Sequence, residues 1–283
     1  MDKLKICFVD FWPEFEQLED FITPILSKHF DIVIDNKNPD VLFHSIFNGM
    51  RSTPTYKCKK ILILAENWRV SQFKSDYSVS FDPHTDTNYR LPLWQMYLLL
   101  KPELKERLFA RKIVNEFERF CAFTVSNPSN NLRISHYELL STYKKVNAYG
   151  KVKMNSYELK RLSEGKYWRD AKDEFFLKHP HKFMMTYENS SHPYYCTEKL
   201  MDAFLSGSIS IYWGDPKVEE DWNDKAFINV MNTNWFERVK LIDNNNEEFL
   251  KIYNEPVFTN EQKEIHLHNI NNFEDWLINK VKS

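Results

Sequence analysis

The chain has 283 residues, 42% of them hydrophobic, and only five glycines, so it is long enough for two α/β domains and is not a disordered sequence. Its formal net charge is −2 with both signs mixed along the chain, which argues against nucleic acid as a partner. The first twelve residues fit neither a signal peptide nor an anchor, no span approaches roughly 18 consecutive apolar residues, and the four cysteines form no CxxC pair. These features predict a cytosolic protein with free thiols.

The first half of the chain predicts a parallel α/β domain over residues 1–115. Short strand-like runs alternate with segments in which apolar residues recur at helical spacing, which is the pattern of βαβ units. The predicted strands are Leu4 to Val9, Phe30 to Ile34, Asp40 to Phe43, Lys60 to Leu64 and Asp76 to Phe81, and the predicted helices are Phe15 to His29 and about Pro102 to Glu118.

A second Rossmann-like domain is predicted over residues 116–283. Strands are expected at Phe120 to Val125, Lys145 to Ala148, Phe183 to Tyr187 and Ile209 to Trp213, and helices at Asn130 to Tyr143, Asp170 to Lys178 and Thr197 to Ser206. Gly207 is expected to close the last of these helices. Two such domains without a flexible linker predict a binding site in a cleft between them.

The tail beyond Asn234 is helical by its period. An apolar stripe runs along its end and is formed by Ile265, Ile270, Phe273, Leu277 and Val281. The stripe predicts core packing against the first domain. The alternative is a helix that lies on the surface of the inner membrane. The polar face of this segment mixes acidic and basic residues, whereas the polar face of a membrane-lying helix is usually basic.

The most informative run is YENSSHPYYCTEK, residues 187–199, which leaves a strand end, forms a polar loop and enters a helix. Ligands of doubly wound sheets bind at such strand ends. Thr197 suits the N-cap, and the free amides of the first turn together with Lys199 would stabilise a diphosphate leaving group. Glu198 is a natural acceptor for ribose hydroxyls. Alternatively, Thr197 caps a structural helix and Lys199 is solvated.

Extended over residues 187–216, the run YENSSHPYYCTEKLMDAFLSGSISIYWGDP resembles the donor-binding signature of the α-1,3-fucosyltransferases of glycosyltransferase family 10. FCAFTVSNP, residues 120–128, resembles the strand that opens the family's donor domain, and KAFINV, residues 225–230, resembles its next strand. In the first domain, AEN at 65–67, SDYSVSFD at 75–82 and YRLP at 89–92 resemble the family's acceptor-domain signature.

The resemblance implies a GT-B architecture, in which two Rossmann-like domains face each other across a cleft, with GDP-fucose as donor and inversion by a single displacement. By position, Glu66 would be the general base, Glu198 a ribose ligand and Lys199 a phosphate ligand. The predicted donor pocket also includes Asn189, Tyr195, Ser126 and Lys153. Glu66 directly follows an apolar strand, which suits a rigidly held base, although by itself it would equally be a solvated loop carboxylate. The next carboxylates in the same signature are Asp82 and Asp76.

The chain departs from the family where relatives place an arginine in a Gly-Gly-x-Val-Arg-like segment, because Lys153 stands there. Lysine keeps the charge but loses the forked geometry, and Arg133 is the candidate substitute. Histidines and aspartates show no metal-ligand spacing, so a metal is not predicted, while a cation bridging the diphosphate stays open.

Aromatic and cysteine side chains supply further candidates. Sugars stack on rings, so Trp12, Trp68 and Trp94 are candidates for an acceptor platform, with core packing as the alternative for each. Cys196, at the start of the helix, is predicted to be a reactive thiol. Bound GDP is expected to slow its alkylation.

Together these patterns predict a GDP-fucose-dependent transferase that makes an α-1,3 bond to the GlcNAc of a lactosamine-type oligosaccharide, in protein or lipopolysaccharide glycosylation. One alternative is a relative that uses another GDP-sugar or acceptor. Another is a catalytically silent glycan- or nucleotide-binding protein of the same fold, against which the presence of Glu66, Glu198 and Lys199 argues. The expected location is cytoplasmic, with peripheral membrane contact left open.

Overall fold

The computed structural model describes residues 1–12, 15, 20–110, 116–231 and 234–283. In this part of the chain the strands are β1 (Asp2–Val9), β2 (Phe30–Ile34), β3 (Val41–His44), β4 (Lys59–Leu64), β5 (Tyr77–Ser80), β6 (Asn88–Arg90), β7 (Arg119–Phe123), β8 (Val146–Ala148), β9 (His181–Tyr187), β10 (Ile209–Trp213) and β11 (Ile228–Asn229). The helices are α1 (Ile22–Leu26), α2 (Leu93–Leu100), α3 (Glu103–Ala110), α4 (Asn131–Tyr143), α5 (Glu158–Leu162), α6 (Trp168–Lys178), α7 (Glu198–Ser206), α8 (Val218–Asp221), α9 (Trp235–Asn244), α10 (Asn246–Tyr253) and α11 (Asn260–Lys282).

The chain divides into two compact units, one of Met1–Pro102 with Glu264–Ser283 and one of Glu103–Lys263. The predicted division assigns residues 1–115 to the first domain and 116–283 to the second. In the structure, by contrast, the last twenty residues belong with the first unit, because their side chains pack into its core.

The first unit is built on a six-stranded parallel sheet of order β2-β1-β3-β4-β5-β6. Its inner strands read as nearly continuous apolar runs, as strands covered on both faces do. Ile6, Phe43 and Ile61 are fully buried within its core. All the strands predicted in this half are present.

The end of α11 completes that core. Phe273 and Leu277 are fully buried against it, which confirms the predicted packing of the apolar stripe on the first domain, whereas Ile265 at the other end of the stripe is 55% exposed. Polar contacts fix the same stretch of helix. Glu274 accepts a hydrogen bond from Lys28 at 2.6 Å and pairs with His29 at 2.8 Å.

The second unit is built on a five-stranded parallel sheet of order β11-β10-β9-β7-β8. The chain passes from β7 through α4 to β8 on one side, and then crosses to β9 on the other side of β7. The connections after β7 and β9 therefore diverge, which makes the pair a topological switch point. Gly207 ends α7 with a φ of 78°, the left-handed conformation predicted for it.

Four elements were not predicted from the sequence, and two of them, α5 and α8, are helices of only five and four residues. β6 is only three residues long and pairs at the edge of the sheet, so it is too short to show alternation, and α2 is apolar nearly all round and lacks a clear helical period. Two predicted helices are observed in part, as α1 and α3, and residues 16–19 and 111–115 of those predictions lie outside the described residues. Among the helices that the structure describes, none is long and apolar enough to cross a membrane.

Candidate functional site

A pocket lies at the carboxyl ends of β7 and β9, at the switch point of the second sheet. Ligands of open parallel sheets bind at this position because the diverging loops leave a crevice there. The residues that line it come from these strand ends and from α4, α6 and α7, namely 124–127, Arg133, Trp168, Lys172, 184–187, Asn189, Glu198, Lys199 and Asp202. We call it the strand-end pocket.

A fully buried carboxylate, Glu188, lies behind the pocket. It accepts hydrogen bonds from the backbone N–H of Thr197 at 2.8 Å, from the hydroxyl of Thr197 at 2.7 Å and from Nζ of Lys199 at 3.0 Å. A side chain at Gly214 would place its Cβ 2.3 Å from Cγ of Glu188, so only glycine fits there. Burial raises the pKa of Glu188, and the nearby Lys199 opposes that shift.

Lys199 is held by this carboxylate and by its neighbours. Its ammonium donates to Glu188 and to the hydroxyl of Thr197 at 2.8 Å, and lies 3.6 Å from Glu198. Burial would lower the pKa of Lys199, but the carboxylates of Glu188 and Glu198 outweigh it and raise that pKa, so the side chain stays charged. An ammonium has three N–H donors, which leaves one for a ligand.

Thr197 occupies the N-cap position of α7 as predicted, but its hydroxyl bonds to Glu188 and makes no capping bond to the helix backbone. Thr197 therefore gives no side-chain partner to the amides of the first turn, which are the kind of group that binds anions at helix N-termini.

Glu198 is an ionised carboxylate in the wall of the pocket. Burial would raise its pKa, but the charges of Lys199, Lys172 and Arg169 lower it to about 2. An ionised carboxylate is an acceptor only, which suits a pair of hydroxyl donors. Next to it, Asp202 of α7 joins α6 through ion pairs to Arg169, at 2.7 Å, and to Lys172.

Arg133 is predicted from the sequence only as a substitute for the arginine of the family's motif. In the structure it lies in the pocket and is 1% exposed. Its Nη1 donates to the side-chain oxygen of Asn189 at 3.0 Å, and its Nη2 donates to the carbonyl of Asn127. Its Nε–H has no hydrogen-bond partner within the described part of the chain. A buried, unsatisfied guanidinium donor beside a pocket is suited to an anionic ligand.

The structure therefore brings four of the predicted donor residues to the strand-end pocket: Ser126, Asn189, Glu198 and Lys199. Tyr195 is 1% exposed and does not line the pocket, although it is near enough to influence the pKa of Lys199 and of Arg133. Lys153 is not brought to it. It has a φ of 54°, lies on the surface and pairs with Glu138 of α4 at 2.7 Å.

Glu66 follows β4 after one residue, at the carboxyl edge of the first sheet, and is partly exposed. Its carbonyl accepts a hydrogen bond from the backbone N–H of Trp68 at 2.7 Å. The neighbouring carboxylates are less suited to act as a base. Asp82 is paired with Arg69 at 2.8 Å, and Asp76 precedes β5, which places it at the opposite, amino edge of the sheet.

Two sequence predictions about single side chains are wrong. Cys196 is 1% exposed, and burial, with the charges of Glu188 and Asp215, raises its pKa well above the ordinary value, so it is not a reactive thiol. Trp94 is fully buried and packs on the ring of His266, so it cannot stack on a sugar. Trp12 and Trp68 are 39% and 50% exposed.

Sequence reasoning missed Glu188, Trp168, Lys172 and Asp202. Glu188 stands within the run of residues 187–199, and its position immediately after a buried strand was an available signal. Asp202 lies four residues after Glu198 and so shares its face of α7, which was also a signal. Trp168 and Lys172 gave none, because their proximity depends on α6 packing against α7. The described residues contain no group of three or more His, Cys, Asp or Glu side chains placed to hold a metal ion.

Two family models match the chain. Residues 6–97 match the alpha-(1,3)-fucosyltransferase FucT N-terminal domain, and residues 114–266 match the C-terminal part of glycosyltransferase family 10 (fucosyltransferase). The second match alone covers more than half of the chain.

Curated relatives agree with these matches. An alpha-(1,3)-fucosyltransferase FucT of Helicobacter pylori is 29% identical over 270 residues, which cover 80% of this chain and 54% of that protein. The putative fucosyltransferase R654 of Acanthamoeba polyphaga mimivirus is 31% identical over 196 residues, 64% of this chain and 32% of that protein. The 4-galactosyl-N-acetylglucosaminide 3-alpha-L-fucosyltransferase 9 of Mus musculus is 30% identical over 145 residues, 48% of this chain and 37% of that protein. The chain thus spans about half, or less, of the length of these relatives.

Solved structures share the fold. A crystal structure of an alpha1,3-fucosyltransferase aligns with a TM-score of 0.73 at 21% identity, covering 97% of this chain and 90% of that one. A crystal structure of an alpha1,3-fucosyltransferase with GDP-fucose aligns with a TM-score of 0.69 at 22% identity, covering 91% and 83%. These likenesses and the two parallel-sheet units confirm the predicted α/β class and the GT-B fold of two Rossmann-like domains. The chain belongs to glycosyltransferase family 10, the fucosyltransferases.

Proposed function

We propose that this chain transfers fucose from GDP-fucose to a hydroxyl of a glycan acceptor. The observation that carries the proposal is the strand-end pocket. It lies at a topological switch point, where nucleotides bind in doubly wound sheets, and cationic side chains outnumber carboxylates around it. Around it stand the cations Arg133, Arg169, Lys172 and Lys199 and the carboxylates Glu188, Glu198 and Asp202. Family membership and the GDP-fucose complex of a structural relative support this choice of donor.

The donor's diphosphate has suitable partners at one end of the pocket. Lys199 retains one N–H, Arg133 has its unsatisfied Nε–H, and the first turn of α7 supplies backbone amides. As the bond from the sugar to the phosphate breaks, negative charge grows on the leaving GDP. Fixed cations therefore stabilise the transition state more than the ground state. Glu198 is the proposed acceptor for the ribose hydroxyls.

The transfer itself is proposed to be a single inverting displacement. The acceptor hydroxyl attacks the anomeric carbon, its proton passes to the carboxylate of Glu66, and the sugar–phosphate bond breaks to release GDP. A carboxylate held at the end of a rigid strand is well suited to take that proton. The name of the mouse relative supports an α-1,3 bond to the GlcNAc of a lactosamine-type glycan as the product.

Two measurements test the proposal. GDP should raise the melting temperature of the protein, while UDP and free fucose should have little effect, because a ligand stabilises only the state that it binds. Incubation with a panel of GDP-sugars and glycan acceptors should yield a fucosylated product, identified by mass spectrometry together with its linkage. An equal thermal shift with UDP would contradict a GDP-sugar donor, and transfer from another GDP-sugar only would contradict fucose.

A further inference from the structure

The charged residues of the strand-end pocket follow one another in a definite order. Arg133 lies at the end near Glu188, because its Nη1 donates to the side-chain oxygen of the next residue, Asn189, at 3.0 Å. Lys199 comes next, because its ammonium lies 3.0 Å from Glu188 and 3.6 Å from Glu198. Glu198 begins α7, and one turn further along that helix Asp202 forms an ion pair with Lys172 of α6. The order along the pocket is therefore Arg133, Lys199, Glu198 and then α6.

A nucleoside diphosphate fits this order in one direction. The diphosphate belongs where cationic N–H donors have capacity left, at Arg133 and Lys199. The ribose then lies at Glu198, and the base lies beyond it, at the end of the pocket formed by α6. The cations there are less available to a phosphate, because Arg169 and Lys172 already share the carboxylate of Asp202.

An exposed aromatic ring stands at that end. Trp168 is the first residue of α6, lines the strand-end pocket and is 42% exposed. The next residue, Arg169, is buried and paired with Asp202 at 2.7 Å, so the start of α6 is fastened to α7. An indole on a fastened helix end is a flat apolar surface that loses little freedom when it binds a ligand.

We propose that the indole of Trp168 is the platform on which the guanine base of the donor stacks. The inference rests on the proposed function, since it requires a nucleoside diphosphate in the pocket. Every base has a π-face, and a purine offers a larger one than a pyrimidine. Trp168 is thus proposed to set donor affinity through the base alone, without touching the diphosphate.

The test compares GDP, UDP and inorganic pyrophosphate as ligands of the full chain. In Trp168→Ala, GDP should bind roughly 5- to 150-fold more weakly, the range expected when base–aromatic stacking is lost. Pyrophosphate affinity should stay unchanged, and the preference for GDP over UDP should narrow. Trp168→Phe should retain most of the GDP affinity. Tyr157→Ala is the matched control, because Tyr157 is an exposed aromatic residue of the same unit, 56% exposed, that does not line the pocket.

Fluorescence gives a second readout that loss of fold would not mimic. GDP should quench tryptophan emission in the wild type, and Trp168→Phe should lose most of that quenching while still binding GDP. A Trp168→Ala variant within twofold of wild-type GDP affinity would overturn the stacking role, as would an equal loss of pyrophosphate binding. A wild type that fails to bind GDP at all would instead overturn the proposed function.

Discussion

The buried pair of Lys199 and Glu188 separates a structural role from a binding role. In Lys199→Met the carboxylate of Glu188, which is 0% exposed, keeps only the donors of Thr197. Removing one partner of a buried ion pair usually costs about 3–5 kcal/mol of unfolding free energy. Because the Lys199 side chain is itself 25% exposed, we expect a loss near about 3 kcal/mol, the lower end of that range.

The loss should depend on pH in a defined direction. Burial raises the pKa of Glu188, and without Lys199 nothing of equal strength opposes the shift. A carboxyl group whose pKa is higher in the folded state binds more protons there than in the unfolded state. Folding is then favoured at low pH, and stability falls as the pH rises through the pKa of the folded state. The deficit of Lys199→Met should therefore shrink as the solution is acidified.

A double variant separates the two roles. Lys199→Met with Glu188→Gln removes both charges, so urea denaturation should show most of the lost stability restored. GDP affinity, measured by calorimetry, should remain about 10- to 150-fold below wild type in both variants, the equivalent of a charged hydrogen bond. Lys178→Met is the control, because Lys178 forms a surface pair with Glu174 and is 64% exposed. Recovery of GDP affinity in the double variant would refute a ligand role for Lys199.

Further predictions concern the proposed base, the ribose ligand, a buried histidine and the buried thiol. Glu66→Gln should reduce transfer by a factor of about 10² to 10⁴ with GDP affinity unchanged, and turnover above about a third of wild type would assign the proton to another group. Glu198→Ala should weaken GDP binding and have a smaller effect on kcat for transfer. Unchanged GDP affinity would reject the ribose role. Burial lowers the pKa of His181 to about 4, so the unfolded state takes up a proton first as the pH falls from about 6.5 to 4. Up to about 3 kcal/mol of stability should be lost over that range, and His181→Gln should flatten the loss, as denaturation at stepped pH would reveal. Cys196 should resist iodoacetamide in the folded protein with or without GDP, and rapid labelling followed by mass spectrometry would contradict its burial.

Local patterns were enough to place most of the secondary structure and to single out residues 187–199 as a candidate binding segment. Strand and helix periods depend on neighbouring residues, so the predicted strands of both sheets appear in the structure, and the left-handed conformation of Gly207 followed from its place after a helical run. Local patterns also placed Glu198 and Lys199 at the start of a helix that follows a strand end, whereas Asn189 and Ser126 were predicted as pocket residues from the family resemblance; all four line the pocket.

Tertiary structure decided which side chains meet, because such meetings depend on packing between segments distant in the chain. Lys153 keeps the position of a charged residue in the motif, yet its backbone turns it toward Glu138 on the surface, while Arg133 occupies the pocket. Trp168 belongs to the site only because Arg169 and Asp202 join α6 to α7. The last turns of α11 belong to the first unit only because their apolar side chains fill its core. Local sequence patterns predicted most of the elements and the chemistry available at their ends, and only long-range packing selected the residues that form the site.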